Sequence, residues 1–399
     1  MNFINWLGFL LALIVMIVVA RKSIWFGFFC GALVLGIFNL KFTEIFLQFR
    51  NTIFDPPILL LSVAVGLIPL IGGALEISGL MDDLVKNLKL SRKAFLAFAP
   101  AFFGMLPMPG GALLSAPMIA KAGSDIPKEK YSAINVWLRH TLILIYPLGA
   151  ILITSKLANL NLYKAMLYLI PAFLLMILLA YFFLLKGIKG HLQTNKKIEQ
   201  RKFLIPIFII FFAPIVHITL MEITHFSVAD KEIPLVIAVF GSLILAFIFG
   251  KLNAMKILDI SKKMKPWKFF LIIIGMYFFY NIFETSKISE IIAPIIFSKS
   301  FLIVGIAAFL GFVTGRVQMP FAIILPIYYS KYGPEIISYP TFAVIFFSIF
   351  IGYVISPIHP CVSVSLEFFG SNLKSFFRTL IIPVLISLIF SFTISLIFC

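Results

Sequence analysis

Charge is scarce in this chain. Charged residues make up 12% of its 399 residues, and acids are outnumbered by bases, 16 to 33. No polar stretch is long enough to fold as a separate water-soluble unit, which excludes soluble catalytic or nucleotide-binding modules. Cysteine is nearly absent, and Cys30, Cys361 and Cys399 show neither a disulfide framework nor a metal-motif spacing. There is no His-Glu-x-x-His, no nucleophile elbow and no pair of aspartates inside an apolar run, so no catalytic set for an intramembrane enzyme is present. A phosphate-binding P-loop is also missing, and with it ATP-driven pumping by this chain. Residues 3–20 are apolar but lack a basic leader and a small-residue cleavage site, so they read as a retained first helix.

What the chain has in quantity is apolar length. It is 61% hydrophobic with a mean hydropathy of +1.09, and runs of about 18 apolar residues, enough to span a bilayer core, recur from end to end. This is the pattern of an all-α polytopic membrane protein. Spans are expected at 3–20, 24–40, 57–79, 132–155, 162–186, 203–222, 233–250, 268–284, 341–366 and 375–398. The net charge of +17 sits mainly in short loops between these runs. Its partner is therefore the inner membrane surface, by the positive-inside rule, and not nucleic acid.

Two further apolar stretches, near 94–120 and 300–330, are interrupted by Pro-Met-Pro-Gly-Gly and by Thr-Gly-Arg-Val-Gln-Met-Pro. If both turn back as re-entrant hairpins, the loops hold 23 bases on one side and eight on the other; if both cross, the split is 13 to 18. Charge asymmetry favours two hairpins, ten spans and both termini outside a plasma membrane. A weak repeat agrees. Glu76 and Glu284, Pro117 and Pro326, and Pro147 and Pro357 recur at separations of 208 to 210 residues. Each half then has five transmembrane helices plus one re-entrant hairpin, and the odd number of crossings inverts the second half. The halves are 1–186 and 203–399, joined by a basic cytoplasmic loop at 187–202.

Broken backbone at membrane depth belongs where it lines a watery path. Pro107, Pro109, Gly110 and Gly111 free backbone groups at the first hairpin tip, and Ser115 follows one turn later; the plainer reading is a packing kink. Thr314, Gly315, Arg316 and Gln318 form the matching break. Arg316 is the first candidate for gripping a carboxylate or phosphate, against a buried pair with Glu284 or a snorkelling side chain. Arg139, early in the helix after the first hairpin, reads as snorkelling. Ser356, Pro357, His359, Pro360 and Ser363 form a second break, whose carbonyls and hydroxyls suit Na⁺ while His359 suits a proton. Glu76 and Glu284, symmetric at helix ends, are candidates for coupling or for simple pairing.

The motifs Pro-Met-Pro-Gly-Gly-Ala-Leu-Leu-Ser-Ala-Pro (107–117) and Ile-Ser-Pro-Ile-His-Pro-Cys (355–361) resemble those of an integral membrane family of archaea and bacteria without assigned function. That family is similar in architecture to the ion-transporter superfamily of gluconate, citrate, dicarboxylate and arsenite permeases. The resemblance covers essentially the whole chain and implies an inverted-repeat secondary carrier, often a homodimer, with solute between hairpin tips and broken helices. The Ser-Asn-Thr tips of the dicarboxylate carriers are missing, so their substrate and Na⁺ ligands do not transfer. The expectation is a secondary active transporter of a small anionic solute, coupled to Na⁺ or H⁺ and needing no other cofactor; a channel is the alternative, then an intramembrane enzyme.

Overall fold

The computed structural model describes residues 2–87, 90–105, 111–122, 125–190, 199–223, 232–288, 298–333 and 337–399, and among them regular structure is helical, with no β-strand. Apolar chain in a bilayer must satisfy its own backbone, and the helix does so within each segment. The order is α1 (Asn2–Ala20), α2 (Ile24–Asn39), α3 (Phe42–Phe54), α4 (Pro56–Ile77), α5 (Leu80–Lys86), α6 (Arg92–Met105) and α7 (Gly111–Ala120). Next come α8 (Lys128–Thr141) with a 3-10 turn over Leu142–Ile145, α9 (Ala150–Leu157), α10 (Leu162–Tyr168) and α11 (Ile170–Leu179). The second half holds α12 (Gln200–Ile223), α13 (Ile233–Phe249), α14 (Lys256–Met264), α15 (Pro266–Thr285), α16 (Ala307–Thr314), α17 (Gln318–Tyr332), α18 (Tyr339–Ile355), α19 (Pro360–Phe369) and α20 (Leu373–Phe398).

Five described helices, counting α18 with α19 as one, are long and apolar enough to cross a bilayer, and seven are if each of two bent pairs is one span. The bends are 44° between α8 and α9 and 43° between α10 and α11. Helices α1, α2 and α13 are apolar but shorter. Two segments that read as connections are helical as well. Phe42 and Phe46 of α3 are 80% and 61% exposed, and α14 carries Lys256, Lys262 and Lys263. Each is too short to span, and each packs on the long helix of the opposite half, α3 on α15 and α14 on α4.

The helices sort into two bundles. Helices α1 to α4 pack with α12 to α15, whereas α6 to α11 pack with α16 to α20. Burial of apolar surface does not drive helices together in hydrocarbon, so close approach through small residues has to. A Cβ added to Gly104 would fall 1.9 Å from the Arg139 carbonyl oxygen of α8, and one added to Gly311 2.1 Å from that of Ile349 in α18. The same contact is thus made twice, and elements from α4 onward recur in α15 to α20 at a spacing of about 210 residues. The two ends of each interrupted stretch meet. The Arg92 guanidinium at the start of α6 donates to the Ala122 carbonyl just past α7, and Lys299 Nζ lies 5.4 and 5.6 Å from the rings of Tyr328 and Tyr332 near the end of α17.

Candidate functional site

Four helices start inside the second bundle: α7 at Gly111, α9 at Ala150, α17 at Gln318 and α19 at Pro360. The residues preceding the last three, Gly149, Val317 and His359, make no side-chain cap hydrogen bond. A helix start presents the positive end of a dipole; at α19 the N–H groups of Val362 and Ser363 return to the His359 carbonyl.

Helix α16 stops on Gly315, which takes the left-handed conformation (φ 59°, ψ 32°) and returns its N–H to the Gly311 carbonyl at 3.0 Å. A Cβ there would meet the His359 nitrogen at 3.1 Å and Ser356 Oγ at 3.2 Å. Ser356 Oγ donates to the Phe312 carbonyl at 2.6 Å. The 314–318 and 356–361 breaks therefore touch. Two motifs noticed separately in the sequence form one site.

Helix α8 completes it. His140 Nδ1 lies 2.6 Å from the Val136 carbonyl, which can only accept, so Nδ1 carries the proton and Nε2 accepts from the Tyr353 hydroxyl at 3.2 Å. The His140 and His359 rings meet at 4.8 Å, and Tyr353 stacks on His359 at 4.2 Å. Arg139 is 4% exposed, and its Nη1 is buried without a hydrogen-bond partner. Arg316 follows Gly315 at its contact with the His359 backbone, and Arg139 precedes His140 in α8. Among the described residues no carboxylate lies within ion-pair distance of either guanidinium. The snorkelling reading of Arg139 is corrected: the residue is 4% exposed and packed inside the bundle, not extended to an interface.

A chain of hydrogen bonds joins this site to the second arm of the first interrupted stretch. Ser115 Oγ donates to Asn135 Oδ1 at 2.7 Å, Asn135 Nδ2 to Ser365 Oγ at 2.9 Å, and Ser365 Oγ to the Cys361 carbonyl at 2.6 Å. Ser115 thus reaches across to α8.

The remaining sequence candidates are placed as follows. Pro109 and Gly110 lie outside the described residues, and Gly111 opens α7. Thr314 Oγ1 donates within its own helix to the Leu310 carbonyl at 2.7 Å, and Gln318 is half-buried at the first position of α17. Ser363 is exposed and turns its hydroxyl to the Pro357 carbonyl at 3.3 Å. Glu76 pairs with Lys263 Nζ at 2.9 Å, and Glu284 is exposed at the end of α15 beside Tyr280, so both acids sit in the first bundle with neighbours of their own. At the foot of the first interrupted stretch, the Arg92 guanidinium beside Asp125 holds that carboxyl below the usual carboxylate range. An apolar cleft of about 540 Å³ runs alongside, lined by Phe301, Ala308, Phe312, Ile355 and Leu388. With no charge on its walls it suits hydrocarbon, not a polar solute.

The fold is thus that of a polytopic α-helical membrane protein. The chain belongs to the family described as protein of unknown function DUF401, whose profile matches residues 5–398. Its structure is similar to that of the Alcanivorax borkumensis YdaH transporter, whose topology is described as unusual, with a TM-score of 0.58 over 89% of this chain and 87% of that one. At 14% identity this is a likeness of fold. No curated protein matches by sequence.

Proposed function

We propose that the chain is a secondary active transporter of a small anionic solute, coupled to Na⁺ or H⁺. The observation that carries this reading is the pair of arginines, Arg139 beside His140 and Arg316 beside the Gly315–His359 contact, with no described carboxylate within ion-pair distance of either. A buried charge in a bilayer needs a partner, and here the partner is the solute. The transporter-like fold supports the same class. Hairpin carbonyls and the breaks at 314–318 and 356–361 form the solute path, with the hydroxyl of Ser356 or the His359 imidazole serving the coupling ion.

The same proposal includes an inverted repeat of 1–186 and 203–399, re-entrant hairpins, and both termini outside. Its supports are the recurrence of elements, the meeting of the ends of 92–122 through Arg92, and the meeting of 299 with 328–332. Lys189 also joins Arg92, its carbonyl accepting from Nη1 at 3.0 Å, so the basic loop and the first hairpin's base share one face.

Purified protein in liposomes, screened with anionic solutes, is expected to show saturable uptake that is accelerated by the same solute preloaded inside. Conductance without saturation would replace the carrier with a channel, and uptake confined to neutral or cationic solutes would sink the anion site.

A further inference from the structure

Three ligand atoms drawn from both halves of the chain meet at this site. A ring nitrogen of His140, one of His359 and the Cys361 Sγ all lie within 4.8 Å of one another. The Nδ1 proton of His140 is fixed on the Val136 carbonyl, the outer-shell arrangement of metal-bound histidines, which leaves Nε2 as the ligand atom; it now accepts from the Tyr353 hydroxyl at 3.2 Å, a bond that a metal would replace. The Nδ1 of His359 is buried with no hydrogen-bond partner. Cys361 is the second residue of α19 and is half-buried, two residues from His359.

We propose that His140, His359 and Cys361 form a three-coordinate site for a monovalent soft cation of the Cu⁺ type. The ligand set of one thiolate and two imidazoles is one that Cu⁺ takes readily. Charge then chooses among metals. Arg139 and Arg316 already bring two positive charges to this pocket. A monovalent ion that displaces the Cys361 proton to solvent leaves the net charge as it was, whereas Zn²⁺ would add one more positive charge. Bonds of roughly 2.0–2.3 Å to nitrogen and sulfur at about 120° set ligand atoms about 3.5–3.7 Å apart. Binding therefore draws the cluster together by about 1 Å and ties α8 of the first half to the α18–α19 break of the second.

Ag⁺ serves as a redox-inert probe, with the full chain carrying Cys30→Ser and Cys399→Ser so that Cys361 is the sole thiol. The expected result is one Ag⁺ per chain, a near-ultraviolet silver–thiolate absorption and a raised melting temperature, with a smaller shift from Zn²⁺ at equal concentration. Cys361→Ser, His140→Gln and His359→Gln should each weaken Ag⁺ binding tenfold or more. Unchanged Ag⁺ affinity in Cys361→Ser overturns the site, as does Zn²⁺ binding tighter than Ag⁺. Should a histidine variant fail to fold, Cys361→Ser, a near-isosteric change at a half-buried position, decides alone. None of these readouts is transport, so their failure leaves the anion proposal standing.

Discussion

Arg139 and Arg316 are the residues whose replacement should separate binding from folding. Arg316→Lys keeps the charge but loses the planar fork, and should lower transport tenfold or more with the melting temperature unchanged. Arg139→Gln removes a buried charge that has no described acid partner, so it should abolish transport while leaving the empty protein as stable or more so. Wild-type transport in the lysine variant would reduce Arg316 to a structural charge. The coupling ion is read from a second pair. Ser356→Ala strips the Phe312 carbonyl of a 2.6 Å hydrogen bond and should cost about 1–3 kcal/mol. If Na⁺ is the ion, it should also raise the Na⁺ requirement while His359→Gln stays mild; if protons drive uptake, His359→Gln abolishes gradient-driven uptake and spares exchange. Uptake indifferent to both gradients in both variants ends the coupled reading. Arg316, Ser356 and His359 were visible in the sequence because proline and glycine mark broken backbone. Asn135 was not, since it sits in unbroken helix and joins the site only by packing across more than 200 residues, and the same long-range packing brings His140 to His359. Arg139 was visible as a charge in an apolar run, but its burial inside the bundle follows from packing against other helices.

Among elements, the paired glycine contacts make the sharpest demand. Gly104→Ala and Gly311→Ala would each drive a methyl into a backbone carbonyl at 1.9 and 2.1 Å, so α6 must separate from α8, or α16 from α18. Overpacking of this kind costs about 1–3 kcal/mol or more, and both variants should lose that much in thermal unfolding or fail to accumulate. A control at an exposed helix position, Leu10→Ala in α1, should change little. Equal tolerance at all three positions would show that the close crossings are not needed. The breaks and long helices were readable because hydropathy length and helix-breaking residues are local properties. The amphipathic helices α3 and α14 escaped notice because neither reaches spanning length, and their helicity is fixed by the long helices they pack on. Close approach was equally hidden: that a Cβ on Gly315 would meet the His359 backbone nitrogen at 3.1 Å is announced by no neighbour in sequence.

For the molecule as a whole, two faces and two bundles carry the remaining predictions. Cysteines introduced at Lys128 and Lys263 should label only from the cytoplasm, and those at Lys164 and Lys331 only from outside. Labelling of position 128 from outside would turn 92–122 into a true span and break the inverted repeat. The bundles are held together on one face by a short set of polar ties. Lys156 at the end of α9 pairs with Glu232 ahead of α13 at 2.7 Å, Tyr163 meets His217 of α12 at 2.7 Å, and the Tyr146 hydroxyl donates to the Ile210 carbonyl at 3.0 Å. Each tie runs from the bundle with the broken helices to the bundle with the long ones. If solute crosses by one bundle sliding against the other, these ties must part in the opposite state. Glu232 is 2% exposed, so Lys156→Ala strands a buried acid and should destabilise by about 3–5 kcal/mol, whereas Lys156→Met with Glu232→Leu should be nearly neutral. Cysteines at 156 and 232 joined by a short bifunctional thiol reagent should halt exchange without lowering solute affinity, because the anion site lies within one bundle. Exchange at the full rate with the bridge in place would mean that the two bundles do not move apart at this face.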